Sequence, residues 1–241
     1  LNIDLSDFMD DICKILGSHL HSKNELLQEE SLEAVKVVSQ KCTKIIAIES
    51  ALIYFVKIYN GSEGKLTVLA HRHAIIKSIG HLSLAKVDDV SGKQKLLHIS
   101  IEKLIKMSKQ ETVESSFVLL FQQMKLWIQH SSSNLLPDSF WKYIKEFAKS
   151  KSSSPPTLTT LYHCLIIAFE SNPNAYIDKI DDSILTFILN SAKNVSTALT
   201  KLPMVIESLY ASLLLLKIYH LKNNLAEKMK NFLSSLQNLM S

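Results

Sequence analysis

Tyr59-Asn-Gly-Ser-Glu-Gly-Lys-Leu-Thr-Val-Leu-Ala-His-Arg-His-Ala-Ile-Ile-Lys-Ser-Ile-Gly80 holds three of the chain's five glycines and follows an apolar run, Ala51 to Ile58. Glycine takes positive φ without a Cβ penalty, so Gly61 and Gly64 read as a tight reversal that ends one helix and opens another from Lys65. In the second helix Leu66, Leu69 and Ile76 fall on one line and Val68, Ile75 and Ile79 on a neighbouring one. Together they cover about half the helix surface, wider than the single stripe of a helix resting on one core. A helix touched on two sides belongs to a stack of helix pairs, each packed on its own partner and on the next pair. Arg72, the only arginine, points between the two lines. Its expected role is structural, with a packed stem and a head reaching solvent or a carboxylate.

Working outward, the 241 residues are 46% hydrophobic with five glycines and five prolines, so punctuation is sparse and helices are favoured over a many-turned β fold. Apolar periodicity and breakers mark about eleven helices. Ser6 reads as a cap for a helix with face Phe8, Ile12, Ile15, Leu16 and Leu20. Leu26 to Cys42 follows, with Leu32, Val35 and Val38 inward, and then Ile45 to Ile58. Beyond the opening stretch come Lys93 to Lys109, Glu111 to His130, a helix from Pro137 through Phe147, Leu158 to Glu170, one around Ile180 to Ala192, Met204 to Leu221 and Leu225 to Met240. Every second helix starts near 6, 45, 92, 138, 182 and 223, the interval of HEAT-type pairs, roughly 40 to 47 residues. The expected fold is all-α, an α-solenoid of HEAT or armadillo-like pairs over residues 1–241, with its strongest internal break at 150–156, where serines precede Pro155-Pro156.

Cys13, Cys42 and Cys164 lie far apart among apolar neighbours, as buried thiols of a reducing compartment do. Asp4, Asp7, Asp10 and Asp11 stand where a secretory signal wants positive charge, and the chain opens on Leu1, as a piece of something longer would. No apolar run approaches the roughly twenty residues that span a bilayer, so no membrane partner is expected. Net charge is +4, and lysines supply all the basic residues but one. Lysine attracts phosphate diffusely where arginine would read bases by fork, so sequence-specific DNA binding is not expected.

Chemical motifs fail on inspection. Gly61-Ser-Glu-Gly64-Lys65 lacks the earlier glycine of a phosphate loop, where Tyr59 sits, and the hydroxyl after its lysine, where Leu66 sits. Ser139-Phe-Trp-Lys142 has the serine–lysine spacing of some acylating enzymes without their companion motifs. His19 with His21, and His71 with His73, are two apart and so face different sides of a helix. Asp10-Asp11 and Asp181-Asp182 sit at helix starts, where carboxylates complement the dipole. No catalytic, cofactor-binding or metal residue is assigned, and no enzyme is expected. Lysine-rich faces remain: Lys93, Lys95, Lys103, Lys106 and Lys109 in one helix pair, and Lys142, Lys145 and Lys149, with Lys151, in the next.

Gly61 to Ala70 with Ser78-Ile-Gly80 resembles a segment of the giant HEAT-repeat translational activators of the general amino-acid control kinase. So do, in order, Phe8-Met-Asp, Gly17-Ser-His-Leu20, Glu30-Ser-Leu-Glu-Ala-Val35, Lys125-Leu-Trp127, Phe140-Trp-Lys142 and Ala211-Ser-Leu-Leu-Leu-Leu-Lys217. The resemblance implies a fragment from the N-terminal half of a cytoplasmic solenoid. It also implies a non-enzymatic scaffold that meets ribosomal RNA or proteins in the amino-acid starvation response and bears on the kinase of initiation factor 2α. The kinase and an ABC-type partner would be met through other parts of the parent. The alternative is a peptide-binding solenoid adaptor of transport or phosphatase-scaffold type, which would need an inner groove of spaced Asn and Trp. Trp127 and Trp141 are the only tryptophans.

Overall fold

A run such as Ile45-Ile-Ala-Ile-Glu-Ser-Ala-Leu-Ile-Tyr-Phe-Val-Lys-Ile-Tyr59 can stay out of water only if neighbours cover it nearly all round. In the computed structural model, which describes residues 3–131, 135–149, 154–193 and 201–221 with Lys230, Ser234 and Gln237, neighbours cover most of it and leave a stripe through Ile46, Ile53 and Lys57 exposed. Ten α-helices and no strand are present among the described residues. They are α1 (Met9–Leu20), α2 (Glu25–Ser39), α3 (Ile45–Tyr59), α4 (Leu69–His81), α5 (Val90–Gln110), α6 (Glu114–His130), α7 (Asp138–Lys149), α8 (Pro155–Ser171), α9 (Asp182–Lys193) and α10 (Leu202–Leu221). The expected helix from Leu225 to Met240 lies outside the described residues, apart from those three positions. Odd-numbered helices start at Met9, Ile45, Val90, Asp138 and Asp182, close to the expected rhythm.

The chain divides into two compact units, Leu1–Asn134 and Leu135–Ser241. In the first, α1 packs on α2, α3 on α4 and α5 on α6. The pairs then join through two rows, α1–α3–α5 and α2–α4–α6. This is a stack of helical pairs, and it explains the composition of α3. That helix meets α1, α4 and α5, and it buries Ile48, Ala51, Leu52, Phe55 and Ile58 completely. Ile48, Leu52, Phe55 and Ile58 each contribute roughly 1.5–3 kcal/mol of burial. In the second unit α9 packs on α10, with rows α7–α9 and α8–α10. Tyr162, Leu161, Cys164, Leu165 and Phe169 of α8 and Ile184 and Ile188 of α9 form its core.

The reversal at Gly61 and Gly64 is present, with φ of 88° and 105°. The helix after it starts at Leu69 rather than Lys65, because Val68 is extended. Val68 and Leu69 are therefore exposed, while Ile75, Ile76 and Ile79 are fully buried and α4 is contacted from α2, α3 and α6. Close approach of α6 requires Gly80: a Cβ there would run into the Gln123 carboxamide, and Trp127 Nε1 donates to the Ile79 carbonyl at 3.2 Å.

Two expectations at the N-terminus are corrected. Ser6 does not cap α1. Its hydroxyl accepts from the Thr43 and Lys44 amides, each at 3.0 Å, and donates to Asp4 at 2.6 Å, so it steadies the entry to α3 instead. The buried face of α1 is Met9, Cys13, Gly17 and Leu20, leaving Phe8 and Ile15 mostly exposed. Gly17 decides this rotation: a Cβ there would press on the Tyr54 ring, so only this side lets α1 approach α3. Of the expected break at 150–156, residues 150–153 lie outside the described residues. Pro155-Pro156 opens α8 rather than interrupting a helix, since Ser154 caps it and proline lacks only an amide that the first turn leaves unpaired anyway.

Candidate functional site

Arg72 is where chemistry concentrates in the first unit. The turn brings α4 back along α3, placing its guanidinium 5.3 Å over the ring of Tyr59 at the end of α3. Arg72 Nη1 donates to Glu111 Oε1 at 3.2 Å, and Tyr59 donates to Oε2 at 2.6 Å. Glu111 Oε1 also accepts from the amides of Thr112 and Val113 at 2.9 and 3.0 Å, at the entry to α6. One buried carboxylate thus ties together the end of α3, the body of α4 and the α5–α6 junction. Its side chain is 0% exposed and that of Arg72 28%.

Burial alone would raise the Glu111 pKa, but the Tyr59 hydroxyl, the Val113 and Thr112 amides and Arg72 outweigh it and hold the carboxyl below its usual range. Burial first, and then the Glu111 carboxylate, push the Tyr59 hydroxyl far above the usual phenol value. Glu111 is therefore an anion and Tyr59 a neutral donor at neutral pH. Beside this cluster lies a cavity of about 500 Å³ lined by Tyr59, Asn60, Gly61, Lys65, Leu66, Arg72 and Gln110.

Arg72 takes the structural role expected of it. Glu111 was not foreseen: its partners lie 39 and 52 residues away, and nothing next to it in the chain signals them.

His71 and His73 point to different neighbours, as helical spacing requires. His71 Nε2 meets the Ser22 carbonyl at 3.1 Å, while His73 Nε2 meets Ser116 Oγ at 3.0 Å. The His21 ring lies 6.2 Å from that of His71, and burial, outweighing Glu63, lowers its pKa. Among the described residues no group of three His, Cys, Asp or Glu is placed to hold a metal. Cys13, Cys42 and Cys164 are buried thiols, as expected. Asp181 caps α9 through the Ser183 and Ile184 amides and pairs with Lys145 at 2.8 Å, a helix-start task. Trp127 and Trp141 are both core residues, 2% exposed, so neither lines a groove.

The lysine faces are partly balanced. On α5, Lys95 pairs with Glu49 at 2.7 Å, and on α7, Lys145 pairs with Asp181, leaving Lys106, Lys142 and Lys149 exposed. The three α7 lysines share one side of their helix, opposite buried Phe140 and Ile144. No helix among the described residues is long and apolar enough to cross a membrane.

The family model described as "Stalled ribosome sensor GCN1 N-terminal" matches residues 1–66. The human protein named Stalled ribosome sensor GCN1 is 26% identical over 232 residues, 96% of this chain and 8% of that protein. Its mouse counterpart is 27% identical over 218 residues, 90% of this chain and 8% of its own length. The chain therefore spans only a small part of these relatives, and the likeness runs along nearly all of it, as the quoted motifs led one to expect. A crystal structure of an engineered protein aligns over 95% of this chain and 96% of its own, at 12% identity and a TM-score of 0.48.

Proposed function

We propose that this chain is a scaffold segment of a ribosome-associated protein of the stalled-ribosome response, acting through an extended surface rather than through bond-making chemistry. The observation that carries the reading is the similarity along 96% of the chain to a protein named a stalled ribosome sensor. The fold supports it. Stacked helical pairs present regularly spaced faces, and the Tyr59–Arg72–Glu111 cluster of the first unit joins helices. In this reading the chain works in the cytoplasm and bears on the initiation-factor-2α kinase only through its parent, whose other parts meet the kinase and the ABC-type partner. The peptide-adaptor alternative loses its main support, because both tryptophans it would use are buried in the core.

Exposed Lys106, Lys142 and Lys149 supply the attraction to ribosomal RNA or acidic ribosomal proteins. Co-sedimentation of the chain with purified ribosomes tests this over a salt series from about 50 to about 300 mM. Binding to phosphate through a few lysines weakens steeply over that range. Binding indifferent to salt, or none, contradicts the proposal.

A further inference from the structure

We propose that the cavity at the α3–α4 turn is a binding site for a phosphate group carried on a nucleotide-sized body. Its volume of about 500 Å³ lies within the range of small-ligand sites, roughly 300–1,000 Å³, and far exceeds what one acidic side chain would fill. The lining contains two cations, Lys65 and Arg72, the amides of Asn60 and Gln110, and an apolar wall from Tyr59 and Leu66, but no carboxylate. Glu111 is sealed behind Arg72, its oxygens already accepting from Tyr59, Thr112, Val113 and Arg72, and Glu63, exposed in the same turn as Lys65, is not part of the lining.

Arg72 is held rather than consumed. Its hydrogen bond to Glu111 runs through Nη1, and Tyr59 and Glu111 fix its plane, while Nε is buried away from solvent, so an anion would meet the outer edge of the guanidinium. A preset guanidinium loses little freedom when it meets an anion. Because Arg72 and Glu111 nearly cancel at a distance, the uncancelled cation within the lining is Lys65, which is exposed at the end of the glycine reversal. Several donors around one cavity match a phosphate, whose unshared oxygens accept in several directions. This is not a phosphate loop: the donors are side chains, and the glycines serve to deliver Lys65. The site stands on this chemistry whether or not the chain meets a ribosome.

The test is a titration of the chain with adenosine monophosphate, inorganic phosphate and hexaglutamate, followed by amide NMR. Adenosine monophosphate should shift the Gly61, Gly64 and Lys65 amides and bind more tightly than inorganic phosphate. Lys65→Ala should weaken it about fivefold or more, while Lys86→Ala, an exposed lysine beyond the opposite end of α4, changes it less than twofold. Arg72→Lys, which keeps the charge and loses the fork, should also weaken it. A uridine hexanucleotide arm separates the sources: tighter binding than the mononucleotide points to RNA, equal or weaker binding to free nucleotides. Three results overturn the proposal: no shift of the turn amides by either nucleotide, equal effects of the two lysine substitutions, or tighter binding of hexaglutamate than of adenosine monophosphate.

Discussion

Replacing Glu111 by alanine removes the acceptor of four donors, from α3, α4 and the α5–α6 junction. The Thr112 and Val113 amides belong to exposed residues and can turn to water, so they contribute little to the loss. Tyr59 is only 6% exposed, and stranding its hydroxyl costs about 1–3 kcal/mol. Breaking a buried ion pair from one side costs roughly 3–5 kcal/mol, but Arg72 is 28% exposed and rehydrates in part, so its share is reduced to about 1 kcal/mol. The expected loss is about 3 kcal/mol. Arg72→Met should cost less, about 1 kcal/mol, because Glu111 keeps Tyr59 and both amides.

Urea unfolding followed by tryptophan fluorescence in a Trp141→Phe background reads this in the Leu1–Asn134 unit, where Trp127 is then the sole reporter. The pH dependence has a fixed sign. Because the native carboxyl titrates below its ordinary value of 4.5, the unfolded chain takes up the proton first as pH falls. The contribution of Glu111 is complete above that value and disappears as pH drops through the native pKa. The gap between wild type and Glu111→Ala must therefore narrow below about pH 4.5. A loss under about 1 kcal/mol, or a larger loss in Arg72→Met than in Glu111→Ala, would refute the reasoning.

Gly61→Ala, at φ 88°, should cost about 1–2 kcal/mol in the same unfolding assay, without changing the rest of the stack. Gly80→Ala should cost about 1–3 kcal/mol by pushing α6 off α4, because Gln123 is buried and its amide is committed to the Leu119 carbonyl; a neutral result would mean that α6 retreats freely. Burial pushes the Cys13 thiol up to about 12 and that of Cys42 to about 11, so both should resist Ellman's reagent at pH 8 in the folded chain and react in urea. Fast reaction of either native thiol contradicts their placement.

The fold was legible where a single helix carries its own signal. Glycines at a reversal, the apolar run of α3 and the recurrence of breakers are local properties, and they located the pairs to within a few residues. Rotation about a helix axis was not legible in α1, where two apolar lines compete and the choice falls to Gly17 meeting Tyr54, a residue two helices away. Ser6 has the residue type of a cap, but its hydroxyl goes to Thr43 and Lys44. The Tyr59–Arg72–Glu111 cluster was legible only in its arginine, because what makes Glu111 matter is a pairing across the stack. The lysine faces were visible as a pattern, while their partial cancellation by Glu49 and Asp181 depends on contacts between helices.

The proposed ribosome contact runs through exposed lysines on preformed helices, Lys106 on α5 and Lys142 and Lys149 on α7. A triple substitution, Lys106→Glu, Lys142→Glu and Lys149→Glu, reverses three exposed charges that hold no helices together. At low salt, ribosome co-sedimentation of this variant should fall at least tenfold while its helical circular dichroism and thermal midpoint match the wild type. Undiminished sedimentation by the folded variant would contradict the account.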